Sequence, residues 1–232
     1  MPKNNRFFWL HIKKCGGQSF RKAFSEHYTT TDRKKTGNRD IKTLPEKEWN
    51  DAVNSYRTKL GEYDFRRTLF VKEMLYTPAE FNSFFKFTIV RNPYARAVSS
   101  WKYLCKNELK PLRLIKKMKW LNHDFTFSSF LDGLPELWER KTNRHAATHT
   151  AQIWPDITDR SGNLLVDSII KLEEINKGME FLSNKIGIKP IHFPIKNRTG
   201  NYGDYRRFYG KSEKKKVEEL YGIDIINLGY EF

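Results

Sequence analysis

The chain has 232 residues, 38% of them hydrophobic and 15% aromatic, enough apolar material for one folded domain spanning 1–232 and too much for a disordered chain. Lys and Arg number 43 against 27 Asp and Glu, a net charge of +16 that selects phosphate-bearing ligands, polyanions or anionic surfaces as partners. The two cysteines, Cys15 and Cys105, are too few for a disulfide framework, and no apolar run approaches the ~18 residues of a membrane helix. A soluble, cytoplasmic protein without signal peptide or anchor is therefore expected.

The first element is a strand over Phe7 to Ile12, a short aromatic and branched run that stops at Lys13, Lys14, Cys15, Gly16 and Gly17. Helical spacing begins at once: Phe20, Ala23 and Phe24 give the segment from Gln18 to His27 one apolar face. Thr68 to Val71 reads as a short second strand, and Phe84 to Val90 as a buried one broken only by Lys86 and Thr88. Asn92 is a good N-cap and Pro93 suits the first helical position, ahead of a stripe of Tyr94, Ala97, Val98, Trp101 and Cys105. Leu164 to Leu172 reads as a further strand, with Ile175, Met179, Leu182 and Ile186 on the helix behind it. Strands alternating with helices predict an α/β fold with a central parallel sheet flanked by helices. The least structured stretches are Thr29 to Glu46 and the basic run from Lys106 to Lys119.

Two segments carry chemistry. In His11-Ile12-Lys13-Lys14-Cys15-Gly16-Gly17-Gln18-Ser19 a strand hands over to a helix, where open α/β sheets bind phosphates through backbone amides. The two glycines permit a tight turn with close backbone approach, and Lys14 adds a mobile point charge. A nucleoside-triphosphate loop needs its lysine after the glycines; here the lysines come first, which disfavours a P-loop nucleotide kinase. The second segment is Phe87-Thr88-Ile89-Val90-Arg91-Asn92-Pro93-Tyr94-Ala95-Arg96-Ala97-Val98-Ser99. It sets an arginine fork at a strand's carboxyl edge and a hydroxyl eight residues on, both suited to one phosphate dianion, with Arg96 one turn before Ser99.

The first segment resembles the 5′-phosphosulfate loop of the carbohydrate (family 2) branch of sulfotransferases, His-Ile-Pro-Lys-Thr-Gly-Gly-Thr-Ser. The second matches their 3′-phosphate motif, F-x-x-V-R-N-P-x-x-R-x-x-S, at every fixed position. The resemblance implies a P-loop-like three-layer fold. It also implies 3′-phosphoadenosine-5′-phosphosulfate (PAPS) as sulfuryl donor, released as adenosine 3′,5′-bisphosphate. By the same resemblance Lys13, Lys14, Cys15, Gly16, Gly17, Gln18 and Ser19 surround the 5′ end, Lys14 steadying the bridging oxygen, while Arg91 and Ser99 take the 3′-phosphate. Three positions depart from the pattern: Lys13 replaces proline, Cys15 threonine and Gln18 the hydroxyl residue, for which Ser19 is the candidate substitute. Arg198-Thr199-Gly200-Asn201-Tyr202-Gly203-Asp204-Tyr205-Arg206 looks like the R-K-G-x-x-G-D-W-K loop of cytosolic sulfotransferases, making Arg198 and Gly200 candidate 3′-phosphate ligands.

A general base must take the acceptor's proton. Relatives carry a Glu or His near the end of the second parallel strand, so Glu73, after Thr68 to Val71, is the first choice; His149 in His149-Thr150-Ala151-Gln152 and His11 are its rivals. The basic run Lys106, Lys110, Arg113, Lys116, Lys117 and Lys119 is either an amphipathic segment beside the acceptor cleft or a solvated helix face. The expected acceptor is a saccharide or other molecule offering a hydroxyl or amine. A nucleic-acid-binding protein would suit the charge and the aromatic content, but the sequence holds none of that class's modules. The spacing of His and Cys offers no metal site.

Overall fold

The computed structural model describes residues 7–31, 40–105, 126–140, 143–190, 193 and 204–232. Residue contacts divide the chain into two compact units: Met1–Val90 with Ile153–Lys196, and Arg91–Gln152 with Asn197–Phe232.

Among the described residues the first unit is built on three parallel strands, β1 (Phe7–Leu10), β2 (Phe85–Val90) and β3 (Ser168–Lys171), in the order β1-β2-β3. Leu10 pairs with Thr88, and Val90 with Lys171. As the middle strand, β2 is covered on both faces, which is why its sequence is a nearly continuous apolar run. Its two polar interruptions are both satisfied internally. Thr88 Oγ1 donates to the Leu10 carbonyl at 2.9 Å, and the Lys86 ammonium donates to the carbonyls of Phe84 (2.7 Å) and Phe81 (3.1 Å) and pairs with Asp167 at 3.0 Å.

Helices flank the sheet. In chain order they are α1 (Gly17–Ala23), α2 (Glu46–Val53), α3 (Arg67–Phe70), which runs on into a π-helical turn over Val71–Leu75, and α4 (Pro78–Ser83), opened by a Thr77/Glu80 capping box. Later in the chain come α9 (Trp154–Ile157) and, beyond β3, α10 (Ile175–Ile186). Trp9, Phe20 and Phe24 stack at 4.0 and 4.2 Å between ring centres and join β1 to α1 in the core.

The second unit comprises α5 (Pro93–Cys105), α6 (Phe127–Asp132), α7 (Leu134–Arg140), α8 (Arg144–Thr150) and α11 (Lys211–Asn227), the last kinked at Tyr221. Asn92 caps α5 as its sequence predicts: its side-chain oxygen accepts from Tyr94 N at 3.0 Å and Ala95 N at 3.4 Å. Its amide donates to the Glu231 carbonyl at 2.8 Å, so one residue both starts α5 and fixes the C-terminal segment.

One expected element is replaced. Thr68 to Val71 is helical, not a strand, and the sheet order among the described residues passes from β1 directly to Phe85–Val90. Its register is set from outside: Arg67 N donates to Asp156 Oδ1 at 2.7 Å, a partner 89 positions away. The last strand is shorter than the expected Leu164–Leu172, because Leu164 forms an isolated antiparallel bridge with Thr158 before β3 begins at Ser168. The helix after the glycines ends at Ala23, short of His27.

Candidate active site

The chain leaves β1 at Leu10 and turns through Lys14 and Gly16, both left-handed with φ of 68° and 79°, before α1 starts at Gly17. Glycine adopts such a φ without strain and lysine does not, so Lys14 is held there by its surroundings. Gly16 is also hemmed in: a Cβ would lie 2.9 Å from Leu172 Cδ1 and 3.1 Å from Phe193 Cζ. At Gly17 a Cβ would overlap the His11 imidazole, Nε2 first. The two glycines are thus required for different reasons, one for its backbone angle and one to seat a ring.

Lys13, where the resembling motif has proline, turns inward and is buried. Its ammonium donates to the Asn54 carbonyl at 2.8 Å and lies 3.1 Å from His11 Nδ1. An ammonium only donates, so Nδ1 accepts and the His11 proton sits on Nε2, the edge facing Gly17. Both contacts tie the turn, to the C-terminal cap of α2 and to the residue that follows β1. Cys15 is buried and its thiol points back to the Lys13 carbonyl at 3.6 Å. Gln18 is exposed, and Ser19 is buried at 2% exposure within α1.

The strand feeding this turn is held by side-chain amides. On the sheet's β1 edge, Asn50 exchanges hydrogen bonds with Trp9, accepting from its N at 3.2 Å and donating to its carbonyl at 2.9 Å. Asn54, one turn on, donates to the Trp9 carbonyl at 2.7 Å and accepts from His11 N at 2.7 Å. These four bonds replace a neighbouring strand. Arg67, 7% exposed, joins them: Nη1 donates to the His11 carbonyl at 3.1 Å and to Asn54 Oδ1 at 3.3 Å, while Nε and Nη2 both donate to Asp156 Oδ2 at 2.9 and 2.5 Å. Nothing local in sequence marks Arg67 or Asp156; the Asn50/Asn54 pair, four apart on α2 and its C-terminal cap, is the one visible signal.

In the second unit Arg91 follows immediately on the last residue of β2 and Ser99 lies on α5, 7% exposed. Arg96 is buried at 3% exposure. Its charge works against the upward push that burial gives the Tyr221 hydroxyl, so this arginine is an internal one. Arg198, Gly200 and the basic run Lys106 to Lys119 lie outside the described residues.

The model of the sulfotransferase family matches residues 1–230. The chain belongs to the sulfotransferase family. No curated protein and no solved structure matches it. The three-stranded parallel sheet with flanking helices agrees with the P-loop-like fold that the family implies, and the protein is a transferase of sulfuryl groups. Among the described residues no helix is long and apolar enough to cross a membrane.

The three candidate bases of the sulfotransferase differ in their surroundings. Glu73 sits on the π-helical turn, not after a strand, so the placement that favoured it is absent. Arg160 Nη1 contacts both its oxygens at 2.8 and 3.0 Å and the Tyr63 hydroxyl donates at 2.8 Å. Arg160 first and Tyr63 second hold the carboxyl below its usual range, which makes it a poorer proton acceptor. His11 has its lone pair directed at Lys13. His149, at the end of α8, is 2.8 Å from the His145 carbonyl through Nδ1; a carbonyl can only accept, so the neutral ring carries its lone pair on Nε2. Its ring stacks on Tyr103 at 4.8 Å and its own carbonyl accepts from Ser100 at 2.8 Å. Absent from sequence reasoning was Lys102 on α5, whose pKa burial lowers to about 8, with Arg207 and Arg91 pushing the same way.

Proposed function

We propose that this sulfotransferase takes its sulfuryl group from PAPS and delivers it to a hydroxyl of a carbohydrate or glycoconjugate. One observation carries the reading: the lysine-first glycine turn follows the carboxyl end of β1, and the arginine of the intact arginine–serine motif follows the carboxyl end of β2. A donor with a phosphate at each end of its nucleoside needs two anion sites of this kind, and a nucleoside triphosphate does not.

In this reading the acceptor oxygen attacks sulfur in line, the bond from sulfur to the 5′-phosphate oxygen breaks, and adenosine 3′,5′-bisphosphate leaves. Lys14 meets the negative charge that builds on the bridging oxygen, a donor of a kind worth about 2.7 to 4 kcal/mol in the transition state. Gly16 and Gly17 let backbone approach the 5′ end, and Lys13, His11, Asn54 and Arg67 keep the turn in shape. Arg91 and Ser99 take the 3′-phosphate, with Arg198 and Gly200 as further ligands. His149 Nε2 accepts the acceptor's proton, in preference to Glu73. The likeness of the turn to the carbohydrate branch supports a sugar as acceptor.

Incubation with PAPS labelled in its sulfuryl group and a panel of saccharides, phenols and amines tests the proposal. Label is expected on a saccharide hydroxyl, with one adenosine 3′,5′-bisphosphate released per transfer. Transfer confined to phenols or amines would overturn the acceptor class, and failure to consume PAPS with any acceptor would overturn the donor.

A further inference from the structure

Helix α2 and the residue that caps it hold the chain on both sides of the turn that follows β1. Before the turn, Asn50 and Asn54 bond the backbone of Trp9 and His11, and the Asn54 carbonyl accepts from the Lys13 ammonium at 2.8 Å. After it, Asp51 on the same helix reaches Arg21, one helical turn beyond Gly17 on α1: Arg21 Nη2 and Nε both donate to Asp51 Oδ1, at 2.7 and 3.2 Å. The guanidinium carbon of Arg21 also lies 5.5 Å from the centre of the Trp9 ring, so this arginine meets the strand that enters the turn as well.

Asp51 is buried, and other donors fix its carboxylate in place. The Tyr28 hydroxyl donates to Oδ1 and Thr31 N to Oδ2, each at 3.0 Å. Burial first, and the Asp51 charge second, push the Tyr28 hydroxyl far above its usual range, which keeps it a donor. Between the two anchored sides lies Lys14, whose φ of 68° is one that a lysine holds only where its surroundings impose it. Gly16, two residues on, gives the backbone beside Lys14 more freedom rather than less, so the constraint does not come from the turn's own sequence.

We propose that Asp51 and Arg21 are positioning residues for sulfuryl transfer: their ion pair fixes where α1 starts relative to β1, and so holds Lys14 in its left-handed conformation with its ammonium placed for the leaving oxygen. The proposal rests on the PAPS reading above, in which Lys14 meets the charge that builds on the 5′-phosphate oxygen. A buried ion pair adds little net stability once the desolvation of both charges is counted, and what this one supplies is a fixed separation of two helices. Without it Lys14 regains the extended and right-handed conformations that a lysine prefers, and few of the positions then open to its ammonium suit the transition state. Binding of the donor, shared among several contacts, changes little, whereas the chemical step depends on one cation and changes most.

A double-mutant cycle on the full chain tests this, by steady-state kinetics with labelled PAPS and whichever saccharide of the panel above takes most label. Arg21→Met keeps an apolar stem against Trp9 and removes the ion pair. It is expected to lower kcat by roughly 10- to 100-fold, the scale of a reacting group misplaced by about 1 Å, with KM for PAPS within a few-fold. Asp51→Asn, isosteric and on the other helix, should do the same, and Arg21→Lys should keep most of the rate. In a Lys14→Met background neither Arg21→Met nor Asp51→Asn should lower kcat further, because their effect passes through Lys14; a loss of packing alone lowers it by the same factor with and without that lysine. Urea midpoints establish which variants are folded in the assay, and either of the two suffices. Full kcat in a folded variant, or an equal loss in the Lys14→Met background, would overturn the inference and leave the PAPS reading standing. Failure of the unmodified protein to consume PAPS with any acceptor would overturn that reading and this inference with it.

Discussion

A Cβ at Gly17 would overlap the His11 ring, whereas one at Gly222 in α11 would meet nothing within 4 Å. Gly17→Ala must therefore displace the imidazole and the Lys13 contact behind it, and is expected to cost about 1–3 kcal/mol, the usual range for overpacking. Gly222→Ala should be neutral or stabilising by up to about 1 kcal/mol. Chemical denaturation of the two variants checks both. The same scale of argument separates the bases. Glu73 is held as an anion by Arg160 and Tyr63, so Glu73→Gln should leave turnover within a few-fold. His149→Gln should lower kcat by about 10²–10⁴ with adenosine 3′,5′-bisphosphate affinity retained. Steady-state kinetics with labelled PAPS decide between them, and a large loss for Glu73→Gln with a normal His149 variant would reverse the assignment.

At the scale of elements, β1 carries the loop and among the described residues has no strand beyond it, so α2 with its C-terminal cap and α3 supply through Asn50, Asn54 and Arg67 the partners its edge needs. Arg67 is buried and forked on Asp156, so Asp156→Ala strands a guanidinium away from water and should destabilise by about 3–5 kcal/mol, read in urea midpoints. Asn54→Ala removes partners from the Trp9 carbonyl and His11 N and should cost about 1–3 kcal/mol.

These contacts also mark where the sequence ceased to be readable. The strands Phe85–Val90 and Phe7–Leu10 were legible because burial on both faces leaves a continuous apolar run, and α5 and α10 because their stripes repeat with helical spacing over 13 and 12 residues. Thr68 to Val71 was not, since four apolar and β-branched residues suit a strand as well as a helical turn, and a carboxylate 89 residues away decides. The two phosphate motifs could be read because their residue types and spacing are fixed by the anion.

For the whole molecule, a net charge of +16 means that a highly charged anionic ligand is drawn in from solution, and that its affinity must weaken as salt screens the field. Adenosine 3′,5′-bisphosphate should accordingly bind less tightly as ionic strength rises, whereas a neutral saccharide acceptor should show little dependence in its KM. Turnover series at low and high salt check this contrast, and equal salt sensitivity for both ligands would count against separate anionic and neutral sites.

The most direct measurement is titration calorimetry of the purified protein with adenosine 3′,5′-bisphosphate, repeated on a variant carrying Lys14→Ala and Arg91→Ala together. One molecule bound per chain, with affinity lost in the double variant, is the expected result. No uptake by the unmodified protein, or uptake unaffected by the loss of both cations, would contradict a donor nucleotide held at its two charged ends by the loop after β1 and the motif after β2.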